Sequence, residues 1–538
     1  MKNANPLTGD YTLWCTNPTN PNALLGNVEA GRNSSGHYYF EARLNWDRQF
    51  GKHTIGAMTV GMAEEYVLTA GNSNNIFETL PERNLGNSGR IAYDYDSRYF
   101  LEFNYGYNGS EKFAKNYRFG FFPSAGAGWL VSNEAFWTEA MKKIMPTLKL
   151  KATFGLVGND AIAGRSGRFF FLSNLNIGGR KTVWGPDWER SYDGYTITRY
   201  ANPEVQWEVS TKLNLGIELG LFKKESLKIQ ADYFHDIRDK IYMPWENLPH
   251  EAGFAAPIAG NIGKAKAQGV EASIDLKHAF DADFWITGRA NFTYAVSEYL
   301  KLNEPSYKDT YRSRVGHSIN QQWGYVAERL FVDRAEIDAS PAQFGLTNYM
   351  GGDIKYTDIN KDGKVDQGDQ IPIGFPTVPE IQYGFGLSSG YKQFDFSFFF
   401  QGNARVSFFI DPYAIAPFVN QRNALQIVAN DYWSETNPNV HAFWPRLSLA
   451  PSEGNAVQSS WWLRDGKFLR LKTVEFGYSF PEWNKIGMKG SRIYLNAENL
   501  FVISPFKMWD PEMGGNGLAY PINRRFNIGV QLSFKKIQ

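Results

Sequence analysis

The chain has 538 residues and a nearly balanced charge, with 56 Lys and Arg residues against 55 Asp and Glu residues. This balance excludes the basic footprint of a nucleic-acid-binding protein and a polybasic patch for membrane surfaces. No run of about 18 or more apolar residues occurs, so a helical membrane span is excluded. The single cysteine, Cys15, excludes an intramolecular disulfide and a cysteine-rich metal site.

The N-terminal region is predicted to be loop, because roughly its first 35 residues are rich in Asn, Pro and Gly. Met1 is followed by a polar stretch that lacks the apolar core of a signal peptide. We therefore expect that, in an exported protein, this chain is a mature or truncated piece.

Alternating apolar and polar residues predict a long series of strands. Residues 38–46 and 54–62 are predicted to form a hairpin, and residues 91–95 and 99–105 a second one. Between them, the polar segment 71–89 is predicted to be a long connection. The later strands are predicted at 148–155, 213–221, 227–233, 270–276, 286–293, 394–400, 474–480, 493–497 and 526–534.

The last predicted strand separates its two faces completely. Its apolar face consists of Phe526, Ile528, Val530, Leu532 and Phe534, and its polar face of Asn527, Gly529, Gln531 and Ser533. Such a strand needs an apolar medium on one side and water on the other. A protein core with solvent meets this need, and so does a lipid bilayer with a wet barrel lumen.

The number and length of the strands and the lengths of the loops favour a lipid bilayer as the medium at the apolar face. We expect about fifteen strands of about ten residues, the length that a tilted membrane strand requires. Short turns alternate strictly with long connections, such as residues 160–208, 301–379 and 403–465. The fold class predicted is therefore all-β, an antiparallel transmembrane β-barrel. Tandem soluble β-sandwich modules are the alternative, although internal repeats at their spacing are not visible.

The direction of the strands predicts that the barrel is larger than this chain. If the last strand ends in the periplasm, the first complete strand runs from outside to inside, whereas an intact barrel begins with a strand running outwards. Residues 1–538 are thus expected to be the C-terminal part, about 15 strands, of a 22-stranded barrel. The last strand is expected to pair with a first strand outside this chain.

The long connection 301–379 contains a calcium-like motif. Oxygen-bearing side chains occupy positions 1, 3, 5, 9 and 12 of a twelve-residue loop, a glycine occupies position 6, and the residue at position 7 offers its backbone carbonyl. The predicted ligands of a structural Ca²⁺ are Asp358, Asn360, Asp362, Lys364, Asp366 and Asp369. An acidic surface turn that binds little is the alternative.

Signatures of catalysis are poor. The seven histidines show no metal-ligand spacing, and Gly386-Leu-Ser388-Ser-Gly390 matches a nucleophile elbow only in its letters, since a hairpin is predicted there. We predict that the chain is not an enzyme. Aromatic rings in the outer loops are candidates for substrate binding, with loop packing as the alternative. They are Trp184, Trp188, Trp245, Trp433, Trp444, Trp461 and Trp462.

A series of motifs resembles the SusC/RagA-type TonB-dependent outer-membrane transporters. The similarity runs from about Tyr38 to the C-terminus and is specific as a combined series. The motifs are residues 93–99, 109–113, 118–129, 202–208, 261–263 with 269–271, 352–356 with the calcium-like loop, and 496–501.

The resemblance implies a 22-stranded barrel that is plugged by an N-terminal domain and imports glycan oligosaccharides or oligopeptides. It also implies a SusD-like surface lipoprotein as lid and energy from the TonB-ExbB-ExbD complex. The plug, the TonB-binding segment and the first strands are expected to lie outside this sequence. A passive outer-membrane channel and a secreted, calcium-stabilised glycan-binding β protein are the alternatives.

Overall fold

The computed structural model describes residues 3–4, 11–12, 34–69, 80–162, 167–419, 422–449, 452–481 and 490–534. Most of the predicted N-terminal loop lies outside the described residues, which include only the short strand pair Asn3–Ala4 and Tyr11–Thr12 there. No helix in this part of the chain is long and apolar enough to cross a membrane.

One large sheet dominates the described residues, and it contains fifteen strands. They are β1 (Ser34–Phe50), β2 (His53–Thr69), β3 (Glu82–Tyr95), β4 (Tyr99–Ser110), β5 (Phe119–Leu130), β6 (Thr147–Asn159), β7 (Glu208–Leu221), β8 (Leu227–Pro244), β9 (Ala259–Ala279), β10 (Phe284–Lys301), β11 (Ile381–Tyr391), β12 (Phe394–Ala404), β13 (Phe468–Ser479), β14 (Arg492–Ile503) and β15 (Arg525–Gln531).

The helices and the remaining strands are short and lie in the connections. The α-helices are α1 (Glu139–Ile144), α2 (Arg334–Asp338), α3 (Pro412–Ile415), α4 (Gln426–Asn430) and α5 (Glu453–Ala456). The 3₁₀ turns are Val131–Asn133, Lys223–Glu225, His250–Ala252, Thr310–Arg312, Gln367–Asp369 and Pro511–Met513. The short strands of the connections are Asn174–Asn176, Thr182–Trp184, Arg190–Tyr192, Thr196–Arg199, Trp323–Gly324, Ala327–Leu330, Ala342–Gln343, Ile354–Tyr356, Lys364–Val365, Ile371–Pro372, Ser407–Phe409 and Leu463–Asp465.

The sheet is an antiparallel meander, in which each strand pairs with the strands before and after it along the chain. This arrangement confirms the predicted all-β class and the predicted number of about fifteen strands. Two details of the prediction were wrong. Residues 82–89, expected to be part of a loop, belong to β3, and the last strand ends at Gln531 instead of Phe534.

The early strands are also longer than predicted, because pairing continues where the alternation of apolar residues has ended. The ladder between β1 and β2 runs from Ser34 opposite Thr69 to Phe50 opposite His53. β3 pairs with β2 as far as Glu82, through a polar segment that looks like a loop by composition. Backbone hydrogen bonds do not need apolar side chains, so a strand can extend beyond its apolar part.

The two faces of the sheet differ as the alternation predicts. On one face of β7, Leu213 lies opposite Phe154 and Leu215 lies opposite Ala152, and the exposed fraction of Leu215 is 46%. On the other face, the Nζ atom of Lys151 lies 3.2 Å from Glu218 and 3.1 Å from Asp232. Large apolar side chains thus stay exposed on a face where water would disfavour them.

The connections separate into two sides, with two exceptions to the predicted strict rule. The turns after β1, β7, β9 and β11 are short, whereas the connections after β6, β10 and β12 are long. The connections after β5 and β13 lie on the short side, but each is longer than the outer connection between β4 and β5. Helix α1 is capped by Thr138, whose side chain accepts a hydrogen bond from the Met141 backbone N–H.

The sheet has two edges within the described residues. β1 pairs only with β2, and β15 pairs only with β14. Nearly every residue of β1 is exposed, and β15 is exposed at six of its seven positions. Each edge therefore presents a row of backbone N–H and C=O groups to its surroundings.

We predict that a charge on the apolar face of β7 destabilises the folded barrel, whereas a charge on its polar face is tolerated. In a bilayer, Leu215→Arg places a guanidinium in lipid near the middle of the strand, at a cost of about 2–4 kcal/mol. Asn214→Arg, one residue away, is the matched control. The measurement is urea unfolding of the full-length protein in lipid vesicles, and equal effects of the two variants would contradict the assignment of the faces.

Candidate functional site

Three connections at one end of the sheet, those after β10, β12 and β14, pack together around a shared apolar core. We call this cluster the outer-loop core. The connection between β10 and β11 supplies five of its buried residues, the connection between β12 and β13 supplies eight, and the connection between β14 and β15 supplies Phe506. Its buried members are Tyr325, Leu330, Ile354, Tyr356, Val365, Ile410, Ile415, Ala416, Val428, Trp433, Ala442, Trp444, Trp462 and Phe506.

Buried ion pairs attach this core to the sheet. Arg470 of β13 is 2% exposed and donates a 2.6 Å hydrogen bond to Asp510, and its Nε atom lies 2.7 Å from the Glu512 carboxylate. Asp353 is 1% exposed, and the Nε atom of Arg446 lies 2.8 Å from it. Because a buried charge that loses its partner is strongly destabilising, the pairs of Arg470 fix a connection to the sheet, and the pair of Asp353 with Arg446 fixes two connections to each other.

The calcium-like loop belongs to the outer-loop core. Its apolar position 8, Val365, is fully buried. The short strand Lys364–Val365 pairs in parallel with Ala342–Gln343, so that Val365 lies opposite Gln343. Gly363, at the sharp turn, has a φ of 90° that favours glycine. The turn predicted from the motif is therefore present.

The acidic side chains of this loop accept hydrogen bonds from its own backbone. Asp369 is fully buried and accepts from the N–H groups of Ile359 (2.8 Å), Asn360 (3.3 Å) and Asp366 (2.8 Å). Asp358 accepts from the N–H groups of Lys361 and Gly363, at 2.6 and 2.8 Å. These bonds stabilise the turn without a cation, as in the alternative of an acidic surface turn.

The remaining predicted ligands lie close to one another on the exposed side of the loop. The Asn360 side chain donates to Asp362 at 3.2 Å, and Lys364 donates to Asp366 at 2.5 Å. The hydrogen bond from Lys364, followed by that from the Gly368 N–H, lowers the pKa of Asp366 below its ordinary value. Across the described residues, no group of three or more His, Cys, Asp or Glu side chains is placed to hold a metal ion. Calcium binding stays a prediction.

The seven candidate tryptophans fall into two groups. Trp184, Trp188 and Trp245 are 62%, 73% and 44% exposed, and the first two belong to the hairpin formed by Thr182–Trp184 and Arg190–Tyr192. In contrast, Trp433, Trp444 and Trp462 are buried in the outer-loop core, and Trp461 packs against it. The rings of Trp444 and Trp462 lie 5.4 Å apart. A buried ring has no face available for a ligand, so Trp433, Trp444 and Trp462 pack the loops, and the half-buried Trp461 packs against them.

Sequence reasoning missed a group of polar side chains beneath the outer-loop core. A cavity of about 330 Å³ lies on the polar face of β10, β11 and β12. Its lining includes four carboxamide side chains, those of Asn291, Gln382, Gln401 and Asn403, together with Phe399. The alternation of the strands predicts that these side chains share the polar face. Which of them lie side by side depends on the strand register, which the sequence alone does not give.

Comparison with known proteins identifies the family. The model of the TonB dependent receptor-like β-barrel family matches residues 3–500, most of the chain. The chain belongs to this family. TonB-dependent receptors are outer-membrane proteins, so the apolar face of the sheet faces lipid and the polar face lines the barrel lumen.

Two curated relatives show the extent of the similarity. TonB-dependent receptor P3 of Formosa agariphila is 28% identical over 475 residues, which cover 83% of this chain and 45% of the relative. TonB-dependent receptor SusC of Bacteroides thetaiotaomicron is 26% identical over 463 residues, which cover 83% of this chain and 43% of SusC. The chain spans about half the length of the curated relatives it matches.

A solved structure shows the same fold. The RagAB peptide transporter matches with a TM-score of 0.69 at 20% sequence identity, over 94% of this chain and 56% of the other chain. Its 'open-open' state matches with a TM-score of 0.70 at 21% identity. At this identity the likeness establishes the barrel fold, and it confirms the predicted resemblance to SusC/RagA-type receptors.

We predict that Asp369→Ala opens the calcium-like loop, because it leaves three backbone N–H groups without an acceptor. We expect a loss of about 3 kcal/mol in the local free energy of opening. Hydrogen exchange of the Ile359 and Asn360 amides in the full-length receptor measures it. Asp366→Ala is the control: its carboxylate is exposed and caps only one 3₁₀ turn, so it should cost about 1 kcal/mol. Equal effects would contradict the structural role of Asp369.

The calcium prediction has its own test in the same loop. If Ca²⁺ binds there, it protects the loop of the unmutated receptor from protease, and EDTA removes the protection. Asp358→Ala combined with Asp362→Ala then abolishes the effect of Ca²⁺, because two carboxylate ligands are lost. Cleavage at the same rate with Ca²⁺ and with EDTA would disprove the calcium site and favour the alternative of an acidic surface turn.

Proposed function

We propose that this chain forms the C-terminal part of the barrel of a TonB-dependent importer that takes up oligomeric nutrients, glycan oligosaccharides or oligopeptides, across the outer membrane. The observation that supports it most is the polar face of the sheet, which carries a cavity directly beneath a set of loops with a packed core. Ordered loops above a polar lumen favour selective capture of a ligand, whereas an open passive channel does not need them.

Uptake needs partners that we propose from the family. A SusD-like surface lipoprotein acts as the lid over the long connections, and the TonB-ExbB-ExbD complex supplies the energy through a plug domain. Both edges of the sheet, at β1 and β15, are unpaired within the described residues. We propose that further strands of the complete barrel pair with these edges, because unpaired backbone groups are not tolerated in lipid.

The chain is proposed to bind and transport its ligand without chemical change. The matched family consists of receptors and transporters. Ser388, at the centre of the elbow-like letters, lies within β11, and a turn to β12 follows that strand instead of the helix that a nucleophile elbow requires.

The exposed tryptophan hairpin is the proposed outer contact for the ligand. Trp184 lies opposite Arg190 on one face of the hairpin, and Tyr192 lies opposite Thr182 on the same face. The exposed fraction of Tyr192 is 60%. Flat aromatic faces next to a cation and hydroxyl groups suit both sugar rings and peptide side chains.

We predict that deletion of the gene abolishes growth on one class of oligomer while growth on its monomer is unchanged. Growth on separate pools of oligosaccharides and oligopeptides identifies the class, and co-purification with the full-length receptor identifies the lipoprotein. Unchanged growth on every pool would contradict the proposed importer. Continued uptake after deletion of TonB would instead favour a passive channel.

Removal of the two exposed indole rings should weaken binding of the transported oligomer. Trp184→Ala combined with Trp188→Ala is expected to lower the affinity by about tenfold, on the basis of about 0.5–1.5 kcal/mol for each aromatic contact. Phe280→Ala, at the opposite end of the sheet, removes an equally exposed ring and serves as the control. The binding of the identified oligomer is measured by calorimetry, and unchanged affinity would remove this hairpin from the binding surface.

A further inference from the structure

The cavity beneath the outer-loop core contains a two-row arrangement of carboxamides. In the upper row, Gln382 of β11 lies directly opposite Asn403 of β12. In the lower row, Asn291 of β10 and Gln401 of β12 lie on either side of Gly384. From the ordinary strand spacing and rise, the four side chains cover an area of about 10 Å by 7 Å. We call this group the amide patch.

The amide patch has unused hydrogen-bonding capacity. None of the four side chains makes a hydrogen bond to another group in the described part of the chain, and the Oδ1 atom of Asn403 is buried without a partner. Each carboxamide has two N–H donors and a carbonyl acceptor. Asn291, Gln382 and Gln401 are exposed to the lumen, so a ligand in the cavity can reach their donors and acceptors.

An aromatic ring lies beside the patch. Phe399 points into the lumen, and its ring lies over Gly384 and Gly386. A Cβ atom added to Gly384 would lie 2.8 Å from the ring, and one added to Gly386 would lie 2.7 Å from it. The glycines thus support one side of a ring that stays half-buried. Such a ring offers an apolar surface to a flat ligand.

The lining of the cavity carries no unpaired charge among the described residues. Its only charged lining residue, Glu512, pairs with Arg470. Elsewhere on the polar face, ion pairs lie towards the short turns, such as Lys151 with Asp232, and also beside the cavity, where the Nε atom of Arg405 lies 2.5 Å from Glu380. A ligand at the amide patch therefore meets donors and acceptors but no free charge.

We propose that the amide patch and Phe399 form a binding subsite for a neutral, polyhydroxylated chain, a segment of an uncharged oligosaccharide. The subsite rests on the proposed importer function. Sugar hydroxyls both donate and accept hydrogen bonds, as carboxamides do, and the apolar C–H face of a sugar ring packs on an aromatic ring. The terminal charges of a short peptide and the carboxylates of an acidic glycan find no charged partner in this cavity.

The test uses the full-length receptor and a pool of neutral oligosaccharides, prepared by digestion of uncharged glucans, xylans and mannans. Oligosaccharides that co-purify with the receptor are identified by mass spectrometry, and their affinities are then measured by calorimetry. Gln382→Ala and Gln401→Ala should each lower the affinity by about threefold to tenfold, the effect of one hydrogen bond. Phe399→Leu, which keeps an apolar side chain but removes the flat ring, should lower it by about tenfold.

Asn214→Ala is the matched control, because Asn214 is a carboxamide on the lumen face of β7 outside this cavity. Its affinity should equal that of the unmutated receptor. The thermal unfolding of every variant is recorded, so that a loss of fold is separated from a loss of binding. Rescue by Gln401→Asn, which keeps a carboxamide, would show that hydrogen bonding matters and volume does not.

The outcomes separate this subsite from the importer proposal. Oligosaccharide binding that the variants leave unchanged overturns the subsite, while the importer function stands. Binding of peptides or acidic glycans, with no neutral oligosaccharide bound, overturns the inference of a neutral ligand. Failure of the complete receptor to take up any oligomer in cells contradicts the proposed function itself.

Discussion

The structure depends on one constraint, that a main chain in lipid must make all of its hydrogen bonds within the protein. The fifteen-stranded meander meets it for every interior strand, because each pairs on both sides. At β1 and β15 the constraint is unmet among the described residues, and β1 is exposed along nearly its whole length. A barrel in lipid therefore needs strand partners at both of these edges.

The same constraint allows the side chains of one strand to face lipid on one side and the water-filled lumen on the other. Because the backbone is paired whatever the sequence, apolar residues such as Leu215 can face lipid while Lys151, Glu218 and Asp232 pair across the lumen wall. The amide patch lies in this wall beneath the outer-loop core, and the charged residue of its cavity, Glu512, is paired with Arg470.

Much of the sheet could be predicted from the sequence, because period-two alternation is strong wherever one face meets lipid. Residues 213–221 show this clearly, and they lie within β7. The polar segment 82–89 was predicted to be a loop because composition gives no sign of backbone pairing. The three buried tryptophans of the outer-loop core were not separable from the exposed Trp184 and Trp188, since irregular loops have no periodicity that reports burial. The amide patch needs three strands in register, which a single sequence does not specify.

The most direct test of the account is the accessibility of spin labels along β7. The chain has one natural cysteine, Cys15, so single cysteines can be introduced at residues 212–217 of the full-length receptor in lipid vesicles after Cys15 is replaced. We expect oxygen, which concentrates in lipid, to reach labels at Leu213, Leu215 and Ile217. A water-soluble nickel complex should reach those at Lys212, Asn214 and Gly216. Opposite phases with a period of two residues would confirm the lipid and lumen faces, whereas access of the nickel complex to all six positions would contradict them.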